Sequence, residues 1–456
     1  MDLSGKRIHF MGIGGIGVSA LAEMAARAGA VVSGCDRAFG ALTERLEAKG
    51  IRVAIGHDSS HADGVDLLVY TSAVPASHPE RVAAGERQER RGAFLARFLD
   101  ARRSCGVCGT HGKTTTSWLL AHILICAGLD PAVYVGGIVP QLPDGNFRLG
   151  EGPFVSELDE SDGTFLLPRL SVGVITNIDS DHLRHYHDDA SLDRAFLRFA
   201  ENMSGSGLLV VGVDSPRARR VFEAHGKRKT SFGFDGSAMV RAADVRSRAD
   251  ATEFDLVRGN ESLCRVSLPM HGRHNVLNAL AAIAVALEWE VPVAAIREAL
   301  SGVCGVERRM EFLGRFRGAC LYSDYAHHPA EMAAAIQGIR ERHGGKILVV
   351  FQPHLFSRTR DYADDFARGI AQADSALVVD IYPAREEPIP GVDSGMVVEK
   401  AVRFNPEVRG PVALRDVERA VMEMPDDFEA IVFMGAGDID AVARRFVVSA
   451  GGRASE

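Results

Sequence analysis

Short apolar runs that end in glycine or polar turns and lead into helical segments recur along the chain, a pattern that predicts parallel α/β units. Residues 7–11 are the first such run, followed by a glycine-rich turn and a helical pattern over residues 18–28. Residues 31–36 predict the next strand, and further strands are expected near residues 51–55 and 66–71. A charged segment, residues 86–103, leads into an apolar run that ends at Cys108, a second glycine-rich turn, and a helix expected over residues 115–127. Alternation continues with apolar starts at Phe154 and Val172. It then gives way to a β-rich, turn-rich stretch, residues 207–268, and to a long apolar helix opened by residues 270–279. Beyond residues 305–309 the alternation is regular. Strands are expected at 319–323, 346–351, 376–381 and 430–434, and helices at 329–340, 362–373, 417–424 and 438–448. These breaks predict a three-domain α/β fold with domains at 1–103, 104–307 and 308–456. The tail from Gly451 is expected to be disordered.

The length of 456 residues agrees with about three domains. With 46% apolar and 25% charged residues the chain has the composition of an ordinary globular protein. A net charge of −8 argues against nucleic acid or an anionic membrane as the main partner. No apolar run reaches the roughly 18–20 residues of a membrane span, and the first residues lack a signal peptide's apolar core, so a cytoplasmic location is expected. The 7 cysteines, an odd number scattered along the chain, read as reduced thiols. Cys105 and Cys108, although spaced as C-x-x-C, read as small residues on the buried strand before the second turn.

Gly12-Ile-Gly-Gly-Ile-Gly17 is a G-x-G-x-x-G turn between a strand and a helix, with Asp36 placed 19 residues beyond Gly17. Taken alone it predicts a Rossmann half that binds NAD through Asp36 and the ribose, and so an oxidoreductase, although the same turn holds any diphosphate. Gly56-His57 and Thr71-Ser-Ala-Val74 lie just past strands, at the edge where open α/β sheets bind ligands. The second turn, Gly109-Thr-His-Gly-Lys-Thr-Thr115, has the build of a phosphate-binding loop. Its glycines let backbone N–H groups approach an anion, Lys113 reaches phosphates, and the Thr114 hydroxyl holds Mg²⁺. Val107 stands where the usual loop has its first glycine. Acids past strand ends, in residues 157–162 and 177–182, are the expected Mg²⁺ ligands. Asn275 and Asn278 fall three apart on one helix face and can meet the donor and acceptor edges of a base; capping by Asn275 is the competing reading. In the last domain, residues 324–329, 352–358, 382–386 and 435–438 all follow strands, so their His, Arg, Tyr and Asp residues should converge on one edge.

At this point the chain resembles the Mur ligases, ATP-dependent enzymes that build the peptide of bacterial cell-wall precursors. The likeness runs through Gly109-Thr-His-Gly-Lys-Thr-Thr115, Glu157-Leu-Asp-Glu-Ser-Asp162, Thr176-Asn177 with Asp181-His182, Gly272-Arg-His-Asn-Val-Leu-Asn-Ala279, Arg308-Arg309 and Asp324-Tyr-Ala-His-His-Pro329. His327-His328, Gln352-Pro-His354, Ser357-Arg358, Thr359-Arg360 and Pro388-Ile-Pro-Gly391 point within the family to a ligase that adds a single L-alanine to UDP-N-acetylmuramate. The alternative is a relative that adds a preformed tripeptide. A purely nucleotide-binding scaffold would have no need of Lys113, Glu157 and Arg358 together.

The resemblance implies three α/β domains: Rossmann-like, P-loop ATPase-like and Rossmann-like. It moves the first glycine turn from NAD to the uridine diphosphate of the substrate, with Gly14, Gly15, Ile16, Gly17, Asp36, His57, Ser72 and Ala73 in that site. It implies ATP at Gly109, Thr110, His111, Gly112, Lys113, Thr114 and Thr115, adenine beside His274, Asn275 and Asn278, and Arg309 reaching the phosphates. It implies Mg²⁺ on Thr114 and Glu157, and a second Mg²⁺ on His182. Tyr325, His327, His354 and Arg358 are expected to hold alanine, with His327 or His354 taking the amine proton. A monomer or weak homodimer is expected. The chain departs from the pattern at Leu355, where several relatives carry arginine, and at Met310, where phenylalanine is common.

Overall fold

A computed structural model describes residues 1–180, 186–248, 250–384 and 386–449. The Asp181-His182 pair and the tail from Gly451 lie outside the described residues. The chain forms two compact units: Met1–Ala243 with Asp255–Val266 and Leu277–Val303, and Asp244–Phe254 with Ser267–Val276 and Cys304–Glu456.

The first unit opens with a five-stranded sheet: β1 (Arg7–Met11), β2 (Val31–Asp36), β3 (Arg52–Ile55), β4 (Leu67–Tyr70) and β5 (Gln88–Arg90). Its order is β3-β2-β1-β4-β5, and every pairing is parallel. The order reverses between β1 and β4, and open sheets of this kind take ligands beyond the strand ends at that reversal. The first glycine turn follows β1 and residues 71–74 follow β4, so the two turns flank it. The charged segment, residues 86–103, forms β5 and the helix Arg91–Asp100. Phe94, Leu95, Phe98 and Leu99 make one buried face of that helix, and the intervening charges hide the period from a reading by composition.

A second sheet comprises β6 (Ser104–Cys108), β7 (Ala132–Tyr134), β8 (Phe147–Arg148), β9 (Phe154–Glu157), β10 (Val172–Ile175), β11 (Leu208–Gly212), β12 (Lys229–Gly233), β13 (Val240–Ser247), β14 (Thr252–Arg258) and β15 (Glu261–Leu268). At its centre β6 lies between β10 and β9, parallel to both. All residues of β6 are buried. A parallel strand covered on both faces needs a continuous apolar or small run, which is the part Cys105 and Cys108 play. All seven cysteines are free thiols. The β-rich stretch also contains the helix Pro216–Ala224, started by Ser215, which accepts from Ala218 N–H, with proline in the first turn.

The second unit carries β16 (Glu311–Phe316), β17 (Ala319–Asp324), β18 (Lys346–Phe351), β19 (Ser375–Val379), β20 (Val408–Val412) and β21 (Phe428–Met434), in the order β16-β17-β21-β18-β19-β20. Only β16 pairs antiparallel. Helices cover both faces of this sheet, with Met332, Ile336 and Phe366 on one side and Val417, Val442 and Phe446 on the other. The helix expected over residues 362–373 is found as Ala363–Ile370, and a short helix that the pattern did not predict, Phe356–Asp361, precedes it, with the break at Tyr362. Arg358, expected in a loop, therefore sits on a short helix. No described helix is long and apolar enough to cross a membrane.

Candidate active site

The second glycine turn leaves the carboxyl end of β6 and becomes the N-terminus of the helix Lys113–Cys126, two residues earlier than the sequence pattern predicts. Gly112 is the N-cap, with φ 81°. A Cβ there would lie 2.2 Å from Asn278 Oδ1, so both the backbone conformation and the space require glycine. The first helical turn carries no acid. The N–H groups at its start and their partial positive charge are thus left for an anion. Asn177 ties the turn down: its Oδ1 accepts from His111 N–H at 2.9 Å, and its Nδ2 donates to His111 O at 3.0 Å. Thr110 Oγ1 accepts from Asp179 N–H at 2.8 Å, and His111 Nε2 lies 3.2 Å from Asp179 Oδ2.

Lys113 does not point away from the turn. Its ammonium donates to Gly109 O at 2.7 Å, to Thr110 O at 3.2 Å and to Glu160 Oε1 at 2.9 Å. Burial alone would pull the ammonium's pKa down, but the carboxylates of Glu160, Asp159 and Glu157 outweigh it and hold it above its ordinary value. Thr114 and Thr115 are buried in the same turn of helix. Glu157 ends β9, directly across from Val107 of β6, and accepts from Gly136 N–H at 2.8 Å. Glu157 and Asp159 also line a cavity of about 220 Å³ with Gly17, Arg91 and Tyr134.

The first turn is closed by its acid. Gly14 N–H donates to Asp36 Oδ2 at 2.8 Å, and Arg37 N–H donates to Asp36 Oδ1 at 2.7 Å. Gly15 caps the helix Ile16–Arg27. The Tyr134 hydroxyl donates to Gly17 O at 3.0 Å and accepts from Arg91 at 2.8 Å, which carries a guanidinium to this turn. Ser72 and Ala73 are exposed on the turn after β4. His57 turns its Nδ1 inward, 3.2 Å from Glu80 Oε1.

On the helix Arg273–Glu288, Asn278 Oδ1 accepts from the Thr116 hydroxyl at 3.3 Å, which brings it to the second glycine turn. Asn275, the third residue of that helix, is buried and donates its amide to His271 O at 2.8 Å, a contact to a carbonyl rather than to a helix N–H. His274 occupies the space that a side chain at Gly272 would need.

In the second unit the loops after β17, β18, β19 and β21 meet as expected. Gly435 N–H donates to Asp324 O at 2.9 Å, and Leu355 N–H to Tyr382 O at 2.9 Å. The Arg308 and Arg309 guanidiniums lie over the Tyr325 ring, at 4.7 and 5.1 Å. Tyr325, His327, His354 and Tyr382 then form a run of ring contacts at 5.2, 5.5 and 5.7 Å. Burial lowers His327 to about 4, opposed by Glu331 and helped by Arg358. Burial raises Asp324 to about 6 despite Arg309, while it accepts from Met310 and Ala326 N–H. Leu355 holds φ 69° as the cap of the helix that carries Arg358, a conformation costly for a side chain with a Cβ.

Sequence reasoning missed Arg91, and it gave Glu160, Asp324 and Tyr382 no individual role although the ranges 157–162, 324–329 and 382–386 contain them. Glu160 stands in a run of acids with nothing local to separate it from its neighbours. Arg91 looks like one charge among many until Tyr134 is brought to it. His182 lies outside the described residues.

Comparison with known proteins bears on the same regions. Family models match in three consecutive parts: "Mur ligase family, catalytic domain" at residues 7–103, "Mur ligase middle domain" at 154–286 and "Mur ligase, glutamate ligase domain" at 308–437. The UDP-N-acetylmuramate–L-alanine ligase of Aromatoleum aromaticum is 40% identical over 97% of this chain and 98% of the relative. That of Thiobacillus denitrificans is 41% identical over 96% and 97%. Among solved structures, the UDP-N-acetylmuramate-alanine ligase of Thermotoga maritima is 30% identical, covers 97% of this chain and 98% of its own, and superposes with a TM-score of 0.83. A murein peptide ligase from Psychrobacter arcticus, 24% identical over 99% of this chain and 100% of its own, shares the fold with a TM-score of 0.70.

Proposed function

The chain belongs to the Mur ligase family, and from that premise we propose that it joins L-alanine by an amide bond to the carboxylate of UDP-N-acetylmuramate, converting ATP to ADP and phosphate, in peptidoglycan precursor synthesis. The observation that most supports the chemistry is the helix start at Lys113, free of acids in its first turn and set beside Glu157 and Glu160. The near-full-length likeness to alanine ligases supports the choice of amino acid.

A carboxylate does not condense with an amine in water, because its oxygen is a poor leaving group. In the proposed route a carboxylate oxygen of the sugar nucleotide attacks the γ-phosphorus and ADP departs. The amine of alanine then attacks the acyl carbonyl, and phosphate departs with the former carboxylate oxygen. Phosphoryl transfer is mostly positioning and electrostatics. The N–H groups of residues 109–115 and the Lys113 ammonium supply both once the ammonium leaves the Gly109 carbonyl for the phosphates. Thr114 and Glu157 offer the hard oxygen donors that Mg²⁺ takes; when bound there, the ion neutralises phosphate charge. Gly14, Gly15, Gly17 and Arg91 face the diphosphate of the sugar nucleotide, and Asn278 faces the adenine. Arg358 pairs with the alanine carboxylate. His327, kept neutral at physiological pH by burial, and His354 beside it are the acceptors for the amine proton.

ADP release with UDP-N-acetylmuramate, measured against a panel of amino acids and the murein tripeptide, tests the proposal. Turnover with L-alanine is expected. Turnover with the tripeptide alone would move the chain to the peptide-ligase branch, and reduction of NAD without ADP release would remove it from ligation.

A further inference from the structure

Beneath the first glycine turn four side chains converge, none of them among the residues assigned to the ligation chemistry. His9 comes from β1, Cys35 from β2, His61 from the turn Ser59–Ala62, and Glu80 from the helix Pro79–Ala84. One nitrogen, sulfur or carboxylate oxygen from each lies within 4.8 Å of the others, the one group of this kind among the described residues. Cys35 Sγ is 3.3 Å from Glu80 Oε2, and His61 Nδ1 is 2.9 Å from Glu80 Oε1. A tetrahedral ion with bonds of about 2.0–2.3 Å holds its donors about 3.3–3.8 Å apart. The Cys35–Glu80 pair already has this spacing, the His61–Glu80 pair must open by about 0.4 Å, and the widest must close by about 1 Å.

A hydrogen-bond hub explains part of the cluster. Glu80 also receives Asp58 N–H at 3.0 Å, and burial, which would raise its pKa, is outweighed by His61, Cys35 and Asp58 so that it falls below the ordinary value. The hub does not explain His9. Its Nδ1 is engaged with Ser33 Oγ at 2.9 Å. Its Nε2 is buried with no hydrogen-bond partner, on a residue only 3% exposed. A buried polar atom left unmatched is costly, and an imidazole nitrogen is among the commonest metal ligands. His57 Nδ1, at 3.2 Å from Glu80 Oε1 and 3.3 Å from Cys35 Sγ, is placed to orient two of the four donors from outside, as partners of metal ligands do.

We propose that His9, Cys35, His61 and Glu80 form a binding site for a divalent transition-metal ion of the zinc type. The donor set decides the class: one sulfur, two imidazoles and one carboxylate suit a tetrahedral borderline-soft ion, whereas Mg²⁺ takes oxygens in an octahedron. The site ties together two strands, a turn and a helix that are distant in sequence. It also abuts the nucleotide turn, because Cys35 O accepts from Gly12 and Ile13 N–H at 2.8 and 3.0 Å. Binding there stabilises the first sheet and the turn that it carries.

The test uses the full chain, stripped with chelator and kept reduced, titrated with Co²⁺ and then with Zn²⁺. About one Co²⁺ per chain should bind with tetrahedral visible bands and a near-ultraviolet thiolate-to-cobalt charge-transfer band, which Zn²⁺ bleaches. An oxygen-lined Mg²⁺ site cannot give that band. Cys35→Ser should abolish it, Glu80→Gln should weaken Co²⁺ binding at least tenfold, and Zn²⁺ should raise the melting temperature of the native chain but not of Glu80→Gln. If Cys35→Ser does not fold, the chain with Cys126, Cys264 and Cys304 all changed to serine must keep the band. Absence of the band in the native chain, its survival in folded Cys35→Ser, or its loss with those three cysteines overturns the proposal.

Discussion

Between β1 and the helix Ile16–Arg27, and again between β6 and the helix Lys113–Cys126, the chain turns through glycines at the carboxyl end of a parallel strand. In the first turn a carboxylate folds back: both oxygens of Asp36 accept backbone N–H groups, one of them from Gly14. In the second an ammonium folds back, and Lys113 bridges two carbonyls of its own turn and Glu160. An acid engaged in this way supports the shape of its turn. An ammonium held this way is a charge ready to be transferred to phosphate. Two turns with one local grammar thus differ in the sign of the group that closes them, and under the proposed function the first seats the substrate while the second drives the transfer.

The largest expected effect separates charge from support. Lys113→Ala should lower ADP release by on the order of 10²–10³ or more, the loss of a transition-state donor that also carries full charge. It should also lower stability, because Glu160, 1% exposed, loses its cation. Lys113→Ala combined with Glu160→Gln should regain melting temperature without regaining turnover. Recovery of turnover in the double variant would reduce Lys113 to a brace.

Next comes the closing acid of the first turn. Asp36→Asn replaces one of two charge-assisted backbone contacts, each worth about 1.5–3 kcal/mol. It should raise the KM for UDP-N-acetylmuramate roughly tenfold or more while the KM for ATP stays within about twofold. Calorimetric titration of the native chain should show binding of the UDP-sugar and none of NAD. Tight NAD binding with none of the sugar nucleotide would break the comparison.

A similar scale applies to the alanine edge. Arg358→Lys replaces a two-pronged grip on a carboxylate with a point charge. The KM for alanine should rise about 10- to 150-fold with the nucleotide KM values kept. Two carboxylates close to Arg358 in sequence, Asp361 and Asp364, pair with Arg360 and Lys400, each at 2.7 Å. A melting-temperature loss with unchanged KM would make Arg358 structural.

A smaller difference is expected between the glycines. Gly112→Ala meets Asn278 Oδ1 at 2.2 Å and must hold a positive φ, whereas Gly14→Ala meets Asp36 Oδ2 at 2.9 Å without that strain. Gly112→Ala should cost more, by about 1–2 kcal/mol, read as the larger fall in melting temperature. The last effect contrasts pairing with burial. At Lys113 the partners win over burial, but at Asp324 burial wins over Arg309 and raises the carboxyl to about 6. The folded chain therefore holds that proton more tightly than the unfolded one. Stability contributed by Asp324 is present below about pH 4 and declines as the pH rises through about 6, by at most about 3 kcal/mol. Asp324→Asn should flatten that slope in melting curves compared with the native chain.

Sequence by itself determined the strand-turn-helix units and the residues that cap them. Residues 7–11, 31–36 and 346–351 are strands as expected, because a buried parallel strand demands an uninterrupted apolar run and a glycine turn demands its glycines, and both are local requirements. The convergence of residues 324–329, 352–358, 382–386 and 435–438 was equally legible, since parallel strands place all their following loops at one edge. Tertiary structure alone decided the partners: Glu160 for Lys113 across 47 residues, Tyr134 for Arg91 across 43, and Glu80 for His61 and Cys35. It also decided that the charged segment before β6 holds an amphipathic helix and that Arg358 rides on a helical turn. Backbone conformation follows from neighbours along the chain, whereas the partner of a charge depends on which strands lie side by side. That is set by the packing of the whole sheet rather than by any window of sequence.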